Sequence, residues 1–70
     1  MPRLLFTIAA ANDGWQLYEG EHGRSRFQTL NDARDSARLL AATLYEHHGI
    51  PTAVVMDMAG REAVVVSRHG

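Results

Sequence analysis

Thr29–Pro51 reads TLNDARDSARLLAATLYEHHGIP, and this stretch decides the fold. Leu30, Ala33, Ala37, Leu40, Ala41, Leu44 and His48 recur at helical spacing and define one apolar face. Thr29 stands where an N-cap belongs. Asp32, three residues on, suits the positive end of the helix dipole. The stop signal is as clear. His47 and His48 occupy the last turn, Gly49 suits a left-handed cap, Ile50 can pack back on the helix, and Pro51 blocks continuation. The pattern predicts one helix over Leu30–His48.

Outward from the helix, the period changes from about 3.6 to 2. Upstream, Leu4, Phe6 and Ile8 alternate with Leu5, Thr7 and Ala9, which predicts a strand over Arg3–Ala10. Asn12-Asp13-Gly14 is turn chemistry, and Trp15–Gly20 reads as the returning strand of a hairpin. Glu21-His22-Gly23-Arg24 reads as a polar loop, and Ser25–Gln28 is an optional short strand outside the main four, with Phe27 its one obvious inward residue. Downstream, Thr52–Met58 and Glu62–Arg68 carry valine-rich alternation, with a hairpin turn over Asp57–Arg61. The expected fold is therefore α+β. Its order is β-β-α-β-β, a four-stranded, mainly antiparallel sheet with one helix on one face, in a single domain over residues 1–70.

Composition narrows the function classes. A chain of 70 residues buries only about 60% of its unfolded surface, so its core is marginal. There is no cysteine, which removes disulfides and thiolate metal sites and fits a reducing cytoplasm. The net charge of −1 argues against polyanion binding through overall charge. The apolar start, Leu4–Ala11, is read as a first strand and not as a signal peptide, because Thr7 interrupts it and turn residues follow. No stretch reaches the roughly 20 apolar residues that span a bilayer.

No catalytic or metal motif stands out. His47 and His48 are adjacent, whereas two ligands on one helix face need a spacing of three or four. Asp32 and Asp35 lie on the exposed helix face, and Asp57 opens a turn; nothing pairs them with a nucleophile. The glycines are accounted for by turns and the helix stop, and no phosphate loop joins a strand to a helix. No catalytic residue, cofactor or metal is assigned, and the protein is expected not to be an enzyme. The basic residues are all arginine. Arg24 and Arg26 before the helix, with Arg34, Arg38 and Tyr45 along one flank of it, form an expected strip for phosphates and a stacked base. The interleaved acids Glu19, Glu21, Asp32 and Asp35 weigh against it.

Apolar alternation is the stronger signal. Val55 and Val65 point to one sheet face; Val54, Val64 and Val66 point to the other. One helix covers one face. The set left over predicts an assembly interface, most simply a two-fold homodimer, assigned at this level to Val54, Val64 and Val66.

The chain resembles a family of small stand-alone bacterial proteins of unassigned activity. Those carry a Gly-Trp-x-Val strand, a Phe-x-Thr lead into an Ala-rich helix, a valine strand and an Asp-x-x-Gly-Arg-like turn. The matching residues are Gly14-Trp15-Gln16-Leu17, Phe27-Gln28-Thr29, Ala33, Ala37 and Ala41, Val54-Val55, and Asp57-Met58-Ala59-Gly60-Arg61. Leu17 replaces the usual valine, and the final hairpin loop is longer. The resemblance implies the fold and supplies no site residues. A second resemblance, carried by the Thr29–Ala33 helix start after a hairpin, is to small antitoxins that pair with an RNA-cleaving toxin. Their Gly-Cys strand end and DNA-binding segment have no counterpart here. The reading of the sequence is a non-enzymatic, homodimeric interaction module of the bacterial cytoplasm, with nucleic-acid binding or an antitoxin-like partnership as alternatives.

Overall fold

The computed structural model describes residues 3–57 and 63–70. The elements are β1 (Leu4–Ala11), β2 (Gly14–Glu19), β3 (His22–Phe27), α1 (Leu30–His48), β4 (Thr52–Asp57) and β5 (Ala63–His69). Helix and class are as expected. The sheet is not: it has five strands in the order β3-β2-β1-β4-β5, and β1 pairs with β4 in parallel.

One strand accounts for both corrections. The residues read as a polar loop, His22–Arg24, belong to β3, which pairs antiparallel with β2. Three meandering strands leave β3 running in the direction of β1. The helix returns the chain to its starting end, so β4 runs the same way again and docks beside β1 in parallel. With only two strands before the helix, β4 would have run against β1. The turn expected over Asp57–Arg61 and the start of the last strand at Glu62 lie, apart from Asp57, outside the described residues.

The core lies between α1 and one sheet face. Phe6, Ile8, Leu17 and Val54 are fully buried there against Ala33, Ala37 and Ala41. Register explains the set: Ile8 stands beside Leu17 on β2, and Phe6 beside Val54 on β4. Trp15 and Phe27 are paired across β2 and β3, half-buried, and pack at the margin of the core. The three alanines present no long side chain, so the helix approaches the sheet closely. Thr52 exploits that approach, donating its buried hydroxyl to the Ala41 carbonyl at 3.1 Å.

The helix ends behave as the sequence dictates. The Asp32 amide donates to Thr29 Oγ1 at 3.1 Å. Gly49 is left-handed, with φ 67°, and its amide donates to the Tyr45 carbonyl at 2.9 Å. His48, expected on the core stripe, is exposed. It lies a full turn beyond Leu44, where the helix has run past the core. Gly14 has φ 147°, and a Cβ there would collide with the Phe27 carbonyl oxygen. The β2–β3 approach therefore requires glycine.

Candidate interaction surface

β5 is an edge strand, and most of the exposed apolar surface gathers around it. Five large apolar side chains are exposed among the described residues: Leu5, Leu39, Tyr45, Val64 and Val65. Val64 (49% exposed) and Val65 (56%) sit on β5 itself, on opposite faces of the sheet. Leu39, 69% exposed, belongs to the helix flank that overlooks β5. The Tyr45 ring lies 6.3 Å from the ring of His69, near the end of β5. Only Leu5 stands apart, on β1 beside Ala53.

Between that helix flank and β5 runs an open cleft of about 390 Å³, lined by Asp35, Arg38, Leu39, Ala42, Ser67, Arg68 and His69. The Ser67 hydroxyl oxygen and His69 Nδ1 are buried there without a hydrogen-bond partner. Ser67 and His69 alternate along β5 on the helix side, and no hydrogen bond links the two side chains. Asp35 and Arg38, one turn apart, form no ion pair within 4.0 Å. Strand β5 is pinned at its end by Arg3. That guanidinium donates to the carbonyls of Thr52 (3.0 Å), His69 (3.2 Å) and Gly70 (2.8 Å).

The two sheet edges differ in chemistry. β3 carries Gly23, Arg24 and Arg26, and its pairing is broken by a bulge. Such features discourage strand addition. β5 also has a bulge, opposite Val54/Val55, but its Ala63–Val66 run has no charge and no glycine.

The residues singled out in the sequence are scattered. Val54 is wholly buried under α1, and Val66 packs against the same core. Neither belongs to a free face. The face left open by the helix is that of Leu5, Val55 and Val65; of the expected interface set, Val64 alone is exposed. The arginines do not form one strip. Arg24 is held by Glu19 in an ion pair of 2.8 Å. Arg26 stands beside Gln16, whose neighbour Leu17 points to the helix, so Arg26 faces away from α1. Arg34 and Arg38 are on α1, across the sheet from it. Leu39, outside the helix stripe, is only a small hint of partner contact in the sequence pattern and gains weight once β5 is placed beside it.

No group of three or more His, Asp or Glu side chains among the described residues is placed to hold a metal ion. Among the described residues no helix is long and apolar enough to cross a membrane. Comparison with family models, with curated proteins and with solved structures finds no match.

Proposed function

We propose that this chain is a non-enzymatic interaction module that works as a homodimer in the bacterial cytoplasm, docking through the α1–β5 side. The observation that carries this reading is the clustering of Leu39, Tyr45, Val64 and Val65 about one sheet edge. A small domain gains about 25 cal/mol for each Å² of apolar surface it removes from water, and a chain of this length has little stability to spare. The nucleic-acid alternative loses its basis in a continuous strip, because Arg24 is ion-paired and Arg26 faces away from Arg34 and Arg38.

The test is Val65→Lys. Val65 is 56% exposed, so the fold tolerates a longer polar side chain there. Light scattering on a sizing column is expected to show a dimer for the wild type and a monomer for the variant. A variant that keeps the wild-type mass removes the α1–β5 side from the interface.

A further inference from the structure

We infer that the second copy docks edge to edge, β5 against β5 in antiparallel pairing, so that two five-stranded sheets become one continuous sheet of ten with both α1 helices on the same face. This rests on the reading that the chain self-associates, and it names the partner surface and geometry. An edge strand exposes a row of unpaired backbone N–H and C=O groups, and addition of another strand satisfies them. The β3 edge is protected by Arg24, Arg26 and Gly23, whereas Ala63–Val66 is apolar and uncharged. With one receptive edge per chain, pairing closes at two copies and does not grow into a fibre.

The partner is a second copy because the surface complements itself. Antiparallel pairing of a strand with its own copy places a two-fold axis perpendicular to the sheet. Residues directly opposite each other then share a face, so the valines above the sheet meet valines and those below do likewise. An axis at Val66 would set Val65 against Ser67 and Val64 against Arg68. An axis at Val65 sets Val65 against its own copy and Val64 against Val66, all apolar, whereas an axis at Val64 would bring Glu62 opposite Val66. The same operation turns the β5-side flanks of the helices toward each other. That flank carries Leu39 as its exposed apolar residue, with Asp35 and Arg38 as one acid and one base that are not paired within their own chain. Asp35 supplies the carboxylate that complements a basic side chain of the second copy, Arg38 on the helix or Arg68, which lines the same cleft from β5.

Cysteine cross-linking tests the geometry, because the natural chain has no cysteine. Single variants Val64→Cys, Val65→Cys and Leu5→Cys replace exposed side chains, and each is checked for native circular dichroism. Opposed residues of an antiparallel pair lie within disulfide reach. Under mild oxidation, Val64→Cys or Val65→Cys is expected to form covalent dimers at least about tenfold faster than Leu5→Cys, because a docked pair raises the effective thiol concentration. Sedimentation equilibrium of the wild type accompanies the scan. A dimer that cross-links through Leu5→Cys, or at no β5 position, overturns the edge-to-edge geometry and leaves the homodimer standing. A wild-type monomer overturns both. Equal rates at all three positions mark random collision and also overturn the proposal.

Discussion

The Thr52 hydroxyl donates to the Ala41 carbonyl at 3.1 Å, wholly buried, and joins β4 to the helix that precedes it. The bond exists because the alanine face of α1 lets backbone approach strand. Thr52→Val keeps the shape and removes the donor. Urea unfolding is expected to show a loss of about 0.5–1.5 kcal/mol, the usual net worth of one hydrogen bond. No change would mean that the hydroxyl does not hold the helix to β4.

Close helix packing has a cost in tolerance. Ala37 is fully buried between Ala33 and Ala41 on the stripe facing Phe6, Ile8 and Leu17. Ala37→Leu adds volume where no space is available. Overpacking of this kind costs about 1–3 kcal/mol, so the melting temperature is expected to fall. A variant as stable as the wild type would show that the helix stands further from the sheet.

Gly49 ends the helix at φ 67°. A Cβ there meets no neighbour within 4 Å, so the effect of a side chain is backbone strain alone. Gly49→Val is expected to destabilise the fold by roughly 1–2 kcal/mol, the penalty for a left-handed L-residue. The β-branch makes valine a stricter probe than alanine. Unchanged stability in thermal unfolding would contradict the assigned cap.

These expectations also mark what was legible in the sequence. Both helix ends were, because Thr29 acts through a hydroxyl that accepts from the nearby Asp32 amide, and Gly49 and Pro51 through their own backbone geometry, with no tertiary partner needed. Strand β3 was only partly legible. His22–Phe27 has one apolar residue, and as an edge strand it buries nothing on either face except Phe27. Leaving it outside the main four strands reversed the parity of the meander and hid the parallel β1–β4 pair.

The interface was harder to read for the same reason. Val54 and Val55 are both valines, so alternation separates them without saying which goes inward. What decides is the β1–β4 register, which sets Val54 beside buried Phe6 and Val55 beside Thr7. That register is fixed only once β4 is known to pair with β1. Leu39 likewise gains its meaning from β5 beneath it. Patterning within one segment reports local structure; the free surface depends on which segments become neighbours.

Self-association is the property on which the proposed β5 docking depends. Sedimentation equilibrium of the wild-type chain at micromolar concentration tests it most directly. Twice the chain mass of 7.7 kDa is expected. A single species at the mass of one chain, with native circular dichroism, would contradict it.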